Sequence, residues 1–278
     1  LTRFLLNPSR HFLQEGLGIR LIAGEGALAH REPFELDRAG LRQLQQSILA
    51  YHDRRRDEEG HAVARAAGML PHGPVGDLAY DEQLRSVRAF ESQYPLLSVS
   101  SRLAPLDFHL TVTGTDLSGR LEELSPQGLL RVTLSKISAW DWLRLWVSHL
   151  CLNASAPHGV APESHLFGAD GCLALLPVAE PRALLARLVA LRSLGSRQPL
   201  PFFAKASQVY VKGSRSPRGD RLALDQAQSV WMGTGFGWAE SEDAHVDYLY
   251  RGAFPRDASF ASLALEVWEP ILEAAVLS

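Results

Sequence analysis

Hydrophobic and polar residues alternate along three stretches in the middle of the chain, at 107–114, 116–124 and 129–136. Alternation with a period of two is typical of strands that have one buried face. A Ser-Pro-Gln-Gly turn separates the second stretch from the third. We therefore predict an antiparallel meander of three strands. In the third strand one face would carry four side chains, those of Leu130, Val132, Leu134 and Lys136.

Apolar residues recur with a helical period on both sides of these strands. Helices are predicted at 7–17, 38–54, 57–69, 80–93, 139–152, 181–194, 203–210, 220–232 and 257–276. The segment at 139–152 is apolar on most sides, so we expect it to be buried and central. Ser138 and Asp141 have the spacing of a capping box at its start. A strand–turn–strand unit is predicted at 165–178 and an amphipathic strand at 245–252.

These elements predict an α/β (α+β) fold, with a small mixed sheet flanked by helices and additional helical insertions. The 278 residues are 46% hydrophobic, enough for one large domain or a domain with a subdomain. We expect a single domain over 1–278, with a helical insertion at about 36–95 and a helical C-terminal part at about 180–278. Because the chain begins with Leu1 rather than Met, we expect it to be a piece of a longer polypeptide.

Composition argues against several classes of protein. No apolar run approaches the ~18 residues of a membrane span, and the first residues lack the pattern of a secretory signal. Cys151 and Cys172 lie among apolar residues, as expected of buried, reduced thiols in a cytosolic protein. The ten histidines lack the spacing of zinc ligands. We expect no cofactor and no metal.

The net charge of −3 means that any nucleic-acid contact depends on a local basic patch. A Gly/Ser/Pro-rich stretch is the candidate for such a patch, because Asp220 is its only acid. Its four basic residues are Lys212, Arg215, Arg218 and Arg221. A mobile basic loop can follow a phosphate backbone, and an ordinary exposed loop is an equally good interpretation.

The third predicted strand also raises a question of catalysis, because it ends in a lysine and precedes a helix. A strand with (Asp/Glu)-x-Lys before a helix presents the catalytic groups of many metal-dependent nucleases. Leu134 stands here at the acidic position, and it cannot bind a metal. Such chemistry needs converging carboxylates. The acids outside the strand are Asp116, Glu122, Glu123, Glu240, Glu242, Asp243 and Asp247.

Six stretches carry a resemblance to a known family over nearly the whole chain. They are "LTRFLLNPSRHFLQEGLGIRL", "GMLPHGPVGDLA", "LRLWVSHL", "SHLFGADG", "PLPFFAKAS" and "FASLALEVWEPIL". In their order and spacing, the chain resembles the C-terminal region of the gamma subunits of exodeoxyribonuclease V, the RecC subunits of RecBCD helicase–nucleases.

The resemblance implies a PD-(D/E)xK nuclease-like core that is catalytically degenerate. "SGRLEEL" is similar to the strand that carries the first metal-binding acid, with Glu122 in the acidic position, and Asp116 is a rival. "VTLSK" is similar to the (Asp/Glu)-x-Lys strand, keeping Lys136 and offering Leu134 for the carboxylate. In the next helix Arg144 and Ser148 stand where active relatives often carry Gln-x-x-x-Tyr.

The resemblance also implies a role without catalysis in DNA double-strand-break repair and homologous recombination. The domain would help to separate and guide DNA strands and to assemble the complex. Its partners would be a DNA double-strand end, the separated single strands, and the RecB and RecD subunits, with no membrane involved. The expected location is the bacterial cytoplasm, with nucleoid-associated activity, and the domain alone would not be an enzyme.

Two alternatives remain open. One is an active Mg²⁺-dependent DNA nuclease that uses Glu122 and Lys136, with acids supplied by Asp116 or by 240–247. The other is a protein-docking platform without DNA contact. Tyr248 and Tyr250 are weaker candidates for contacts with bases, since packing on the core is the better interpretation of both.

Overall fold

The computed structural model describes residues 1–21, 38–52, 57–215, 219–233 and 238–278. The α-helices in chain order are α1 (Thr2–Leu6), α2 (Pro8–His11), α3 (Arg38–His52), α4 (Asp57–Ala66), α5 (Pro74–Gln93), α6 (Pro95–Val99), α7 (Ala139–Ser155), α8 (Pro181–Gly195), α9 (Ala204–Ser214), α10 (Asp220–Trp231), α11 (Ala244–Tyr250) and α12 (Ala258–Ala274). The strands are β1 (Leu106–Val112), β2 (Thr115–Leu121), β3 (Leu124–Ser125), β4 (Gly128–Val132), β5 (Ser164–Gly168), β6 (Gly171–Leu175) and β7 (Ala275–Leu277).

The chain divides into two units, one formed by Leu1–Ile22 with Ser101–Ser278 and the other by Ala23–Ser100. Helices α3 to α6 belong to the second, smaller unit. Its core contains Leu44, Ile48, Val87 and Phe90, and the amides of Gln45 and Gln83 join α3 to α5 with a 2.9 Å hydrogen bond. These are helices whose apolar faces pack on one another.

The larger unit contains a five-stranded mixed sheet in the order β3-β4-β5-β6-β7. Strands β4 and β5 pair in parallel, and the other neighbours pair antiparallel. Because parallel neighbours need a long crossover connection, the chain passes through α7 between them. The predicted hairpin at 165–178 is confirmed as β5 and β6, and the mixed α/β architecture agrees with the α+β class.

The predicted three-stranded meander is wrong. Strands β1 and β2 form a separate two-stranded sheet, whereas β4 pairs with β3 and β5. The chain changes sheet at Glu123, whose φ of 60° lies in the left-handed region and breaks the strand alternation. The alternation of hydrophobic and polar residues along 116–136 therefore runs through strands of two different sheets. The sequence alone does not show where one sheet ends and the other begins.

Helix α7 forms the core of the larger unit. The Ser138 hydroxyl accepts the Asp141 N–H and the Asp141 carboxylate accepts the Ser138 N–H, which confirms the capping box. The buried apolar residues of α7 include Trp142, Leu143, Leu145, Trp146 and Leu150. Between the first turn and Leu152, its less buried positions are Arg144 and Ser148, which continue from Trp140 at intervals of four residues. One narrow stripe of the helix therefore faces outward.

Two other predicted elements differ from the structure. The segment predicted as a strand at 245–252 is largely helix α11, because the Asp243 carboxylate accepts the N–H groups of His245 and Val246 and so caps a helix. The last helix ends at Ala274, and the following residues pair with β6 as strand β7. Both segments are short, and helical and strand patterns are hard to distinguish over so few residues.

A buried carboxylate fixes the start of α9. Glu240 is 5% exposed, and its two carboxylate oxygens accept the backbone N–H groups of Lys205 and Ala206 at 3.0 and 2.9 Å. These N–H groups are free of helical partners at a helix N-terminus, so a carboxylate there is favourable. Burial nevertheless dominates and raises the pKa of Glu240 from 4.5 to about 7.

The raised pKa of Glu240 predicts that its contribution to the free energy of unfolding becomes smaller as pH rises. Because its pKa is higher in the folded chain than in the unfolded chain, the stabilisation is complete below the unfolded pKa of 4.5 and is lost through the folded pKa of about 7. Relative to Glu240→Gln, the wild-type free energy of unfolding should fall by up to about 1.4 kcal/mol per pH unit in this window.

Denaturant titrations followed by tryptophan fluorescence measure this term, because all six tryptophans lie in the larger unit. The contribution of His149 to stability has the opposite pH dependence. Burial lowers the pKa of His149 from 6.5 to about 4, so this contribution is lost as pH falls from 6.5 towards 4. The difference between wild type and Glu240→Gln cancels the His149 contribution. A difference that stays constant from pH 4.5 to 7 would contradict the assignment.

Candidate functional site

Strand β4 ends before the residues that the sequence suggested for chemistry. It ends at Val132, so Leu134 and Lys136 lie in the connection to α7 rather than on the strand. The connection is held by hydrogen bonds from the Ala169 N–H to the Ser135 carbonyl and from the Ile137 N–H to Asp170. Lys136 is exposed and makes no hydrogen bond or ion pair with any residue that the structure describes. Glu122 is likewise exposed, between β2 and β3.

The charged group that β4 does present towards α7 is Arg131. Its Nε donates to Glu123 Oε2 at 2.8 Å, Nη1 donates to the Arg144 carbonyl at 3.2 Å, and Nη2 donates to Ser148 Oγ at 3.0 Å. The guanidinium thus joins the sheet to two successive turns of α7. Arginine suits such a position because its planar fork offers several donors and keeps its charge.

The hairpin register explains why Glu123, and not Glu122, reaches Arg131. Leu124 pairs with Leu129 and Ser125 with Gly128, so continuing the ladder would place Glu122 opposite Arg131. The left-handed backbone at Glu123 ends this alternation. The tight turn was visible in the sequence and could have drawn attention to Arg131. The positive φ of a glutamate could not be foreseen.

The residue that shares this face of β4 with Arg131 is apolar. Leu129 is two residues before Arg131, so both side chains lie on the face of the strand that meets α7. Leu129 is 0% exposed and offers no ligand atom. A permanently charged guanidinium beside it repels cations. This arrangement favours an ion pair and disfavours a divalent metal.

The remaining acids do not converge on β4. Asp116 lies on the outer face of the β1–β2 hairpin, 2.9 Å from Thr111 Oγ1 and 3.6 Å from His109 Nε2. Glu240 and Asp243 cap helices α9 and α11. Within the described part of the chain, no three His, Cys, Asp or Glu side chains are grouped so that they could hold a metal ion.

The basic stretch spans the end of α9 and the start of α10. Lys212 lies on the last turn of α9 with its ammonium 5.1 Å from the centre of the Trp142 ring, a cation–π contact. Partial burial lowers the pKa of Lys212. Arg215 and Arg221 are exposed, and within the described residues neither has a hydrogen-bond or ion-pair partner. Arg218 lies outside the described residues.

An exposed tryptophan lies beside the same part of α7. Trp238 is 51% exposed, and its ring packs on that of Trp140 with 5.9 Å between centroids. Sequence reasoning missed this residue because only a long-range contact brings it to α7. Tyr248 is exposed, whereas Tyr250 packs edge-on against Phe203 in an aromatic cluster.

Among the described residues, no helix is both long enough and apolar enough to cross a bilayer.

The chain is similar to RecC proteins, both by a family model and by two curated relatives. Residues 1–215 match the family model described as RecC C-terminal domain. The chain is 27% identical over 231 residues to RecBCD enzyme subunit RecC of Escherichia coli (strain K12), covering 82% of this chain and 20% of that protein. It is 24% identical over 264 residues to RecBCD enzyme subunit RecC of Buchnera aphidicola subsp. Schizaphis graminum (strain Sg), covering 90% and 24%. The chain thus spans about a fifth to a quarter of the length of the curated relatives it matches.

The contacts of Arg131 predict a measurable loss of stability on substitution. Arg131→Met keeps the apolar stem and removes the ion pair and both links to α7. The free energy of unfolding should fall by about 1–3 kcal/mol, a range that allows for the partial exposure of the Glu123 carboxylate.

Arg144→Met is the matched control, since the Arg144 side chain makes a half-exposed pair with Asp141 at 3.2 Å. Its substitution should cost less than about 1 kcal/mol. Urea titrations of both variants give the comparison. Equal losses would show that Arg131 does not hold β4 against α7.

Proposed function

Since the chain belongs to the family of RecC C-terminal domains, we propose that it is a non-catalytic, nuclease-like domain of a RecBCD-type helicase–nuclease. In this role it contacts DNA, contributes to strand separation and guidance, and supports assembly with the RecB and RecD subunits. The proposed setting is the repair of DNA double-strand breaks in the bacterial cytoplasm.

The arrangement of β3, β4, α7 and β5 supports a nuclease-like core. A hairpin leads into a helix, and the helix returns the chain to a strand parallel to the second strand of the hairpin. A PD-(D/E)xK core presents its (Asp/Glu)-x-Lys strand immediately before such a helix. On this correspondence, β4 is the motif strand.

The single observation that carries the non-catalytic assignment is the pair Leu129 and Arg131 on β4. They have the (Asp/Glu)-x-Lys spacing, they share a face, and they follow Glu123 in the hairpin. We therefore propose Glu123, Leu129 and Arg131 as the relic positions, instead of Glu122, Leu134 and Lys136. The leucine replaces the ligand, and the guanidinium supplies a positive charge beside Glu123 without any metal.

Contact with DNA is supported by the exposed arginines between α9 and α10. Arg215 and Arg221 have no competing partner among the described residues, so they can meet phosphates without breaking an ion pair. Lys212 is held above Trp142 at the same end of α9.

The non-catalytic assignment predicts no metal-dependent cleavage. The purified chain, incubated with labelled single- and double-stranded DNA and Mg²⁺ or Mn²⁺, should leave both substrates intact. Lys136→Ala should behave like the wild type. Cleavage that disappears with EDTA and in Lys136→Ala would instead support the active nuclease that uses Glu122 and Lys136.

The DNA contact predicts a change in salt dependence. Arg215→Ala/Arg221→Ala should weaken single-strand binding and make the slope of log K against log salt shallower by roughly 0.7 for each lost phosphate contact. Fluorescence anisotropy at several salt concentrations measures the slope.

Arg182→Ala/Arg187→Ala is the matched control, because it removes the same charge from exposed positions on α8. Its slope should equal that of the wild type. Identical slopes in all three proteins would show that Arg215 and Arg221 contact no phosphate, whereas no measurable DNA binding by the wild type would favour the docking platform without DNA contact.

A further inference from the structure

The two edges of the five-stranded sheet differ in how they are covered. The β3 edge is closed by the preceding chain, because the Leu103 N–H donates to the Leu124 carbonyl at 2.8 Å and Leu124 is 2% exposed. Strand β7 forms the other edge, and among the residues that the structure describes it pairs with β6 alone. Val276 is 48% exposed and Leu277 is 64% exposed. One edge of the sheet is therefore closed and the other is open.

The hydrogen bonds between β6 and β7 establish which backbone groups of β7 point outward. Cys172 and Ser278 each donate an N–H to the carbonyl of the other, at 2.8 and 3.0 Å. Because hydrogen-bonded positions alternate along an antiparallel pair, the N–H and C=O of Val276 also point towards β6. The N–H and C=O groups of Ala275 and Leu277 consequently point away from the sheet.

Strand β7 carries no residue of the kinds that usually keep an exposed edge from pairing. Edge strands are commonly protected by charged side chains, by proline or by a bulge. Residues 274–278 read Ala-Ala-Val-Leu-Ser, without a charge or a proline, and the β6–β7 register is continuous. Strand β2 of the two-stranded sheet, in contrast, carries Asp116 and Arg120. The β7 edge is therefore chemically suited to receive another strand.

The side chains along the sheet indicate what an added strand would carry. Leu166, Leu173 and Leu277 are partners in the register across β5, β6 and β7. Leu166 is 3% exposed and Leu173 is 0% exposed, so this apolar row is buried until it reaches the open edge at Leu277. An apolar side chain on a neighbouring strand would continue the row and cover Leu277.

We propose that the β7 edge binds an extended, uncharged strand of a partner subunit, which adds to the five-stranded sheet beside β7. The outward N–H and C=O groups of Ala275 and Leu277 bind its backbone, and an apolar side chain of the added strand covers Leu277. A second extended polypeptide repeats donors and acceptors at the matching spacing, which a nucleic acid does not. This inference rests on the proposed assembly with partner subunits and adds the element of the chain that makes the contact.

Hydrogen–deuterium exchange at single amides tests the edge in the full-length protein that carries this chain. The protein is measured alone and in complex with the RecB and RecD subunits of its own organism. In the free protein the amides of Val276 and Ser278 should be protected by β6, whereas those of Ala275 and Leu277 should exchange rapidly. In the complex, exchange of the Ala275 and Leu277 amides should slow by about tenfold or more, because each gains a hydrogen-bond partner.

Two substitutions at one position separate the backbone contact from the side-chain contact. Leu277→Pro removes the outward N–H and leaves the bonds of Val276 and Ser278 to β6 in place. It should raise the Kd for the partner subunit roughly 10- to 100-fold. Leu277→Val is the matched control, since it keeps the N–H and an apolar side chain, and its Kd should stay within about threefold of the wild type. Circular dichroism and thermal unfolding establish that both variants are folded.

The contrary outcomes are distinguishable from one another. Rapid exchange at Ala275 and Leu277 in an assembled complex, or equal Kd values for Leu277→Pro and Leu277→Val, would overturn the strand addition and leave the proposed assembly standing. Slow exchange of both amides in the free full-length protein would also overturn it, because another part of the same polypeptide would then cover the edge. Failure of the wild type to assemble with either subunit would overturn the assembly role as well.

Discussion

The burial of α7 is the constraint on which the larger unit depends. Its apolar residues contact α1, α8, α9, strand β1 and strand β5, and each fully buried side chain contributes about 1.5–3 kcal/mol. A helix packed on so many sides can neither rotate nor slide without opening the core. The outward stripe that begins at Trp140 and continues through Arg144 and Ser148 is therefore fixed.

Arg131 and Trp238 both take their positions from this stripe. Arg131 reaches the Arg144 carbonyl and the Ser148 hydroxyl, while Trp238 lies against Trp140. The first contact places a permanent positive charge and the buried Leu129 side by side on the face of β4 that meets α7. The second contact leaves about half of the Trp238 side chain exposed.

Sequence patterns predicted those features that depend on local interactions. The capping box at Ser138, the burial of α7 and the β5–β6 hairpin follow from neighbouring residues and were confirmed. The ion pair of Glu123 with Arg131 was not foreseen, because a left-handed glutamate redirects the chain from one sheet to the other. Trp238 was also missed, since its partner lies about a hundred residues away in the sequence. Long-range contacts and exceptional backbone angles leave no periodic signal.

Binding of Mn²⁺ tests most directly whether β4 is closed to metal. Electron paramagnetic resonance of Mn²⁺ titrated with the protein measures the free ion, and Glu123→Gln removes the carboxylate nearest to Arg131. We expect the free-ion signal to be the same with the wild type and with Glu123→Gln, because the Arg131 guanidinium holds the Glu123 carboxylate. One bound Mn²⁺ per wild-type chain that disappears in Glu123→Gln would contradict it.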